Sequence, residues 1–214
     1  MENIVIDIRN ITKKYREYTV IKNVSLSVPK GKIVGLIGNN GSGKTVLMKI
    51  ICGLVAVTSG EVLVRGKQVG RDCDIPDNIG VIIETPGFLP NFSAYKNLMF
   101  LAQINHKINA ENVKTAIKTV GLDPNEKKRV GKYSLGMRQR LGLAQAIMEN
   151  PDLLILDEPM NGLDKSGVSD IRKLLFSLKE QGKTILLTSH NSEDINLLCD
   201  AVYEMDKGVI RQLR

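Results

Sequence analysis

The chain has 214 residues and a mass of 23.6 kDa, so it suits one domain better than two independent domains. It is 43% hydrophobic and 25% charged, which excludes disordered, collagen-like and coiled-coil chains. No segment approaches the roughly 20 consecutive apolar residues of a membrane-spanning helix, and the N-terminal residues lack the pattern of a signal peptide. We therefore expect a chain that stays in the cytoplasm unless a partner holds it at a membrane.

The net charge of +7 is concentrated in one segment. Residues 126–140 contain a single acid, Glu126, and contribute +5 of the total. Their basic residues are Lys127, Lys128, Arg129, Lys132, Arg138 and Arg140. A concentrated patch indicates one anionic partner rather than the long footprint of a nucleic-acid duplex, although a solvated surface is the alternative. The chain has no tryptophan and few other aromatic residues, so we expect no nucleic-acid partner.

The first part of the chain is rich in short apolar or alternating segments, which are typical of β-strands. Strands are predicted at 4–8, 24–28, 32–38, 61–65 and 79–83. A glycine-rich turn follows the third of these strands, and the apolar segment TVLMKIICGL after it predicts a buried helix.

The character of the sequence changes at residue 85, where a helical region begins. Helices are predicted at roughly 94–104, 110–120 and 135–148, with prolines between them. After Pro151, the prediction alternates: strand LLILD, helix 165–180, strand TILLTS, helix 192–199, and a hairpin turning at 206–208. Alternation with nearly continuous apolar strands predicts an α/β fold with a parallel sheet covered on both faces.

One domain, residues 1–214, is therefore expected. Its α/β core would be formed by residues 1–84 and 151–214, and residues 85–150 would form an inserted helical subdomain. The two parts of the core are separated in sequence by the insert.

Residues 38–45, GNNGSGKT, match the phosphate-loop pattern G-x-x-x-x-G-K-[ST] in full, between a strand and a helix. Glycine lets backbone N–H groups approach a polyphosphate closely, and the helix N-terminus adds positive partial charge. Lys44 can reach the β- and γ-phosphates, and Thr45 can ligate Mg²⁺. The nucleotide site is predicted to comprise Gly38, Asn39, Asn40, Gly41, Ser42, Gly43, Lys44, Thr45 and Val46.

A phosphate loop of this kind needs a carboxylate on a neighbouring strand to hold Mg²⁺. Four apolar residues, Leu153–Leu156, bury a strand from whose carboxyl end Asp157 emerges, and Glu158 follows directly. An adjacent carboxylate can align or deprotonate the water that attacks the γ-phosphate. We therefore predict Asp157 as a metal ligand and Glu158 as the general base.

Two further motifs are YSLGMRQR at 133–140 and NGLD at 161–164. The first resembles the signature of ATP-binding cassette (ABC) proteins, LSGGQ followed by RQR, and the second resembles their D-loop. His190, after the TILLTS strand, is similar to the switch histidine of this family. Tyr15 lies where the family has an aromatic residue that stacks on adenine, with Tyr18 as an alternative. The resemblance implies a P-loop NTPase (RecA-like) parallel-sheet core with an N-terminal antiparallel β part and an inserted α-helical subdomain.

The family resemblance also implies a head-to-tail dimer that forms with ATP. Each ATP would lie between the phosphate loop of one subunit and the signature of the other. Ser134 and Gly136 open a helix whose free N–H groups suit the γ-phosphate, and Asp164 would contact the partner subunit. The expected catalytic residues are Lys44, Glu158 and His190.

Two departures from the usual motifs indicate a smaller group within the family. Glu84 follows the strand 79–83 where the family normally has a glutamine, and Leu135 and Met137 replace a glycine and a glutamine of the signature. With TPGFLPNFSAYKNLMF after Glu84, they resemble ATP-binding subunits of bacterial exporters of antimicrobial peptides, in the lantibiotic, bacteriocin-immunity and bacitracin-resistance groups. A carboxylate can still ligate Mg²⁺, so Glu84 is expected as a third metal ligand; sequence drift at a tolerant position is the alternative.

The leading hypothesis is the ATPase subunit of an exporter. The resemblance implies separate integral membrane subunits that dock near residues 84–100 and hold the chain at the cytoplasmic face of the membrane. Phe88, Leu89 and Phe92 would line this interface, unless they simply pack the insert. The alternatives are a soluble cassette protein in DNA repair or translation and a small-molecule kinase. The first would carry two cassettes or a long coiled-coil insertion, and the second would not need the signature, D-loop and histidine together.

Overall fold

The computed structural model describes residues 3–84 and 86–214. The strands are β1 Ile4–Tyr15, β2 Tyr18–Pro29, β3 Ile33–Ile37, β4 Ser59–Val64, β5 Lys67–Gln68, β6 Ile79–Ile82, β7 Leu153–Leu156, β8 Thr184–Thr188, β9 Ala201–Asp206 and β10 Val209–Gln212. The helices are α1 Lys44–Ile51, α2 Ala94–Asn105, α3 Ala110–Thr119, α4 Leu135–Ile147, α5 Lys165–Glu180 and α6 Ser192–Leu198, with a 3₁₀ turn at Val130–Lys132. The predicted α/β fold is confirmed.

The larger sheet has the strand order β10-β9-β3-β8-β7-β6, and its strands pair in parallel except at the β9–β10 hairpin. Every residue of β7 and β8 is buried. Leu153 and Ile155 pack into a core shared with α1 and the smaller sheet, whereas Leu154 and Leu156 face a core shared with α2–α5. Because side chains alternate along a strand, each continuous apolar strand serves both cores.

The smaller sheet, of order β2-β1-β4-β5, is antiparallel and more extensive than the sequence predicts. The alternation at 4–8 and 24–28 predicts two short strands, yet β1 and β2 each have 12 residues. Register shifts lie between Ile8 and Ile11 and between Ile11 and Lys13, and Asn10 has a φ of 49°. An irregularity of this kind reverses which residues face the core, so the two-residue period ends although the strand continues.

The helices predicted within the insert are confirmed to within one or two residues at their ends. Ser93 and Asn109 accept hydrogen bonds from backbone N–H groups in the first turns of α2 and α3, so side-chain caps define where these helices begin. Helix α1 ends at Ile51, earlier than the apolar pattern suggests, since Gly53 follows with a φ of 77°.

Helix α4 lies directly against β6 at Gly80. A Cβ atom at this position would lie 2.0 Å from the carbonyl oxygen of Ala146 and 2.6 Å from Cδ2 of Leu154. The absence of a side chain at Gly80 therefore lets α4 approach the parallel sheet. Across the ranges 3–84 and 86–214, no helix has the length and apolar character needed to span a membrane.

We expect Gly80→Ala to lower the free energy of unfolding by about 1–3 kcal/mol, because the new methyl group must push α4 away from β6. Denaturant titration followed by circular dichroism would measure the change. Gly87→Ala is the matched control, since a Cβ atom there meets nothing within 4 Å. Equal stability of the two variants would contradict the close approach of α4 to the sheet.

Candidate active site

A cleft forms where the carboxyl ends of three neighbouring strands meet. The loop after β3 leads into α1, Asp157 and Glu158 follow β7, and His190 lies just after β8. In a parallel sheet these ends share one edge, which is where open α/β folds bind ligands. The cleft is lined by Val20, Asn40, Gly41, Gly43, Lys44, Thr45, Val46, Asp157, Glu158 and His190.

The phosphate loop has the backbone conformation that its glycines permit. Gly38, Gly41 and Gly43 have φ values of 145°, 78° and 112°, a region that other residues rarely adopt. A Cβ atom at Gly38 would lie 2.1 Å from the carbonyl oxygen of Met205. The Ser42 hydroxyl is buried in the loop with no hydrogen-bond partner among the described residues, which leaves it free for a ligand.

Lys44 places its ammonium group inside this loop. Its Nζ donates hydrogen bonds to the carbonyl oxygens of Gly38, at 2.7 Å, and Asn39, at 3.0 Å, and the residue is only 7% exposed. Burial lowers the pKa of Lys44, while Glu158 and Asp157 oppose this shift. Gly38 and Asn39 line a neighbouring cavity, and His190 lines both this cavity and the cleft.

Asp157 connects the phosphate loop to β8. Oδ2 accepts a hydrogen bond of 2.8 Å from the Thr45 hydroxyl, and Oδ1 accepts one of 2.7 Å from the Thr188 hydroxyl. Thr188 in turn accepts a hydrogen bond of 2.8 Å from the backbone N–H of Glu158. Sequence reasoning missed Thr188, whose only signal was its place near the carboxyl end of a predicted strand.

The donor set fits a magnesium ion that is held jointly with phosphate. Within residues 3–84 and 86–214, no cluster of three or more His, Cys, Asp or Glu side chains could hold a metal alone. Mg²⁺ is commonly bound through one or two carboxylates together with substrate phosphates. The Asp157 carboxylate and the Thr45 hydroxyl, which lie in hydrogen-bond contact beside the phosphate loop, have this chemistry.

Glu158 lies in a strained and largely buried position beside His190. Its φ is 50°, and its side chain is 23% exposed. Oε2 accepts a hydrogen bond of 3.3 Å from the backbone N–H of His190. Nε2 of His190 lies 3.1 Å from Oε1, a close approach rather than a hydrogen bond, since Oε1 has no partner among the described residues.

Burial raises the pKa of Glu158, and nearby His190 opposes this shift. A carboxylate of raised pKa is a better proton acceptor than an ordinary one, so the position suits a general base. Gln139, a buried residue of α4, donates a hydrogen bond of 2.9 Å from Nε2 to the carbonyl oxygen of Glu158. The helix that begins with the signature segment is thus in direct contact with the backbone of Glu158.

The signature and D-loop residues lie in a second cleft that shares no lining residue with the first. Ser134 caps α4 by accepting a hydrogen bond from the N–H of Met137, and Asp164 caps α5 by accepting one from the N–H of Gly167. The latter bond lowers the pKa of Asp164. Gly136 packs against Gly162, since a Cβ atom added at Gly136 would lie 2.9 Å from the carbonyl oxygen of Gly162. The signature segment and the D-loop segment are therefore in contact.

Two predicted site residues have other surroundings. Tyr15 lies at the end of β1, is 46% exposed and faces Nζ of Lys13, whereas Val20 of β2, which sequence reasoning missed, lines the phosphate-loop cleft. Oε1 of Glu84 lies 2.6 Å from Nζ of Lys49 on α1, and the Glu84 side chain is 62% exposed. The structure brings neither Tyr15 nor Glu84 into the lining of the cleft.

Fold and site together define a P-loop ATPase. The family model described as "ABC transporter" matches residues 21–161. Similar proteins include the ABC transporter ATP-binding protein YybJ of Bacillus subtilis, 43% identical over 95% of this chain and 94% of YybJ. The bacitracin transport ATP-binding protein BcrA of Enterococcus faecalis is 45% identical over 95% of this chain and 67% of BcrA. The lantibiotic transport ATP-binding protein SrtF of Streptococcus pyogenes is 39% identical over 96% of this chain and 89% of SrtF.

Solved structures share the fold. The ATP-binding cassette MJ0796 bound to ADP and Pi has a TM-score of 0.87 and 24% identity, covering 98% of this chain and 99% of that one. The cbiO1 protein of Clostridium perfringens has a TM-score of 0.84 and 27% identity, covering 98% of this chain and 88% of its own. The chain therefore belongs to the ABC transporter family, as an ATP-binding subunit that hydrolyses ATP.

We expect Thr188→Val to lower the free energy of unfolding by about 1–3 kcal/mol, because the partly buried N–H of Glu158 loses its acceptor and Asp157 loses a donor. Urea titration would measure the loss. Thr115→Val, at an exposed position of α3, is the matched control for the same change of side chain. If both variants lost the same stability, the Thr188 hydroxyl would not hold the two carboxylate residues in place.

Proposed function

We propose that this ATPase subunit powers the export of an antimicrobial peptide of lantibiotic or bacteriocin type, or of a related drug, through separate membrane subunits. The observation that carries the proposal is the 45% identity to BcrA, a bacitracin transport protein, over 95% of the chain. The similarity to SrtF, a lantibiotic transport protein, supports it. The alternative of a soluble cassette in DNA repair or translation is not favoured, since these relatives are transport proteins.

Hydrolysis would be performed by residues of the phosphate-loop cleft. Glu158 accepts a proton from the water that attacks the γ-phosphorus, and ADP leaves as the bond to the bridging oxygen breaks. Lys44 and the loop N–H groups bind the phosphates, and His190 stabilises the γ-phosphate from its position beside Glu158. Asp157 and Thr45 would hold Mg²⁺, which supplies charge neutralisation at the phosphate oxygens.

Glu84 would act as a further metal ligand in competition with Lys49, since its Oε1 lies 2.6 Å from Nζ of Lys49. Tyr15, which is 46% exposed, would stack on adenine in place of Lys13, whose Nζ lies 4.7 Å from the centroid of the ring.

We propose that two chains form a head-to-tail dimer, which the placement of the two clefts supports. Ser134, Gly136 and Asp164 line one cleft, residues of the phosphate loop line the other, and the two clefts have no lining residue in common. Pairing two chains head to tail joins each phosphate loop with the N-terminus of the partner's α4, whose positive end suits the γ-phosphate. ATP would then favour the closed state through contacts made only in that state.

Docking of the membrane subunits near residues 84–100 is supported by exposed apolar side chains. Leu89 is 50% exposed and Phe92 is 36% exposed, and Phe92 contacts Phe100 edge to face at 5.2 Å. Phe88 instead packs against the core of the insert. In this arrangement residues 85–150 act as the helical subdomain that links the membrane subunits to the ATPase core, and the chain lies at the cytoplasmic face of the membrane.

We expect Glu158→Gln to reduce ATP turnover by roughly 10²–10⁴-fold, because the amide cannot accept the proton of the attacking water. Nucleotide binding and the ATP-bound dimer should persist, as measured by phosphate release and by light scattering in Mg·ATP. Glu180→Gln, at an exposed acid of α5, is the control and should retain normal turnover. Normal turnover of Glu158→Gln would show that the base is another group.

Cells whose own gene carries Glu158→Gln should become more sensitive to the exported peptide, because the subunit then binds ATP without completing the cycle. Growth inhibition by bacitracin, a lantibiotic and a ribosome-targeting drug would be compared in mutant and parent strains. Increased sensitivity to one of the peptides alone is expected. Unchanged sensitivity to all the peptides tested would contradict the proposed cargo class and leave the ATPase assignment intact.

A further inference from the structure

The connection that carries His190 is only three residues long, between the end of β8 and the start of α6. On one side of His190, the Ser189 hydroxyl donates a hydrogen bond of 3.0 Å to Oδ2 of Asp194. The same hydroxyl oxygen accepts a hydrogen bond of 3.1 Å from the N–H of Asn191, on the other side. The two neighbours of His190 are therefore joined to each other and to a single carboxylate.

Asp194 is itself held from a different helix. It is 3% exposed, and its Oδ1 accepts hydrogen bonds from Nε and Nη2 of Arg172 at 2.8 and 2.5 Å. Removing a partner from a buried charge is costly, so an ion pair of this geometry persists. Arg172 also contacts Glu193, which is exposed to solvent. Asp194 thus connects the His190 turn to α5 through both of its oxygens.

We propose that Asp194 is a positioning residue for ATP hydrolysis. Clamped by Arg172, it holds Ser189 and Asn191 so that His190 stays against Glu158, with 3.1 Å between Nε2 and Oε1. Without this anchor, the short connection has other conformations, and the imidazole of His190 loses its alignment with the γ-phosphate. The inference rests on the proposed role of His190 and extends it to a residue outside the lining of the phosphate-loop cleft.

The clamp also connects the two clefts of the chain. Asp164 caps α5 in the signature cleft, and Arg172 follows eight residues later in the same helix. Eight residues of α-helix span about 12 Å, and a helix transmits a displacement of one end to the other.

A purely structural role for Asp194 can be separated from a positioning role, because the chain contains a second link of the same kind. Nζ of Lys179, near the end of α5, donates a hydrogen bond of 2.7 Å to Oδ1 of Asp200, just after α6. This pair joins α5 to the end of α6 and has no bond to the Ser189–Asn191 connection. Its removal should affect stability alone.

The test is a comparison of Ser189→Ala, Asp194→Asn and the control Lys179→Met in the full chain. Ser189→Ala removes the link to the His190 turn and leaves the pair of Arg172 and Asp194 intact. We expect kcat to fall by roughly 10- to 100-fold in the first two variants, the range produced by a misplaced catalytic group, with KM for ATP nearly unchanged. Lys179→Met should lower Tm and leave kcat unchanged.

A second measurement repeats Ser189→Ala and Asp194→Asn in a His190→Ala background, using single-turnover hydrolysis followed over hours. If Asp194 acts through His190, neither change lowers the residual rate further. A wild-type kcat for both single variants, or an additive loss in the double variants, would overturn the positioning role. If His190→Ala itself hydrolyses ATP normally, the proposed role of His190 is wrong, an outcome distinct from a defect confined to the Asp194 link.

Discussion

The hydrogen bonds to Asp157 are the interactions on which the site depends. One carboxylate accepts from Thr45, at the start of α1, and from Thr188, at the end of β8, so it fixes the relative positions of the phosphate loop and two strands. The strand order places β7 beside β8 and β8 beside β3, which brings these residues within hydrogen-bond reach. This arrangement also positions Glu158, because its N–H donates a hydrogen bond to the hydroxyl of Thr188.

Helix α4 connects the site around Asp157 to other parts of the molecule. Its N-terminus is capped by Ser134, and the amide of Gln139 one turn later is bound to the Glu158 carbonyl. Nη2 of Arg140 reaches Asp170 on α5 at 3.1 Å, and the C-terminal end of α4 lies against Gly80. A single helix thus contacts the signature cleft, the backbone of Glu158 beside the phosphate loop, and the parallel sheet.

Residue patterns of short range allowed the phosphate loop, the helices of the insert and the central strands to be predicted from the sequence. Contacts between distant segments could not be predicted in this way. Thr188 and Gln139 are ordinary polar residues whose importance arises from partners 30 and 19 positions away. The pairing of Glu84 with Lys49 likewise depends on the approach of α1 to the end of β6. Most of β1 could not be predicted from the sequence, because shifts in register within the strand change which alternate residues face the core.

The separation of the two clefts has a genetic consequence. In the proposed head-to-tail dimer, a lesion in the phosphate loop damages the composite site of its own chain, whereas a lesion at Ser134 damages the site of the partner. A mixed dimer of one chain of each kind therefore carries both lesions in one composite site and leaves the other site intact. If one intact site sustains transport, two alleles that are each inactive alone complement one another when they are altered in different clefts, whereas two alleles altered in the same cleft do not. Which pairs of alleles complement one another therefore depends on which cleft each altered residue lines.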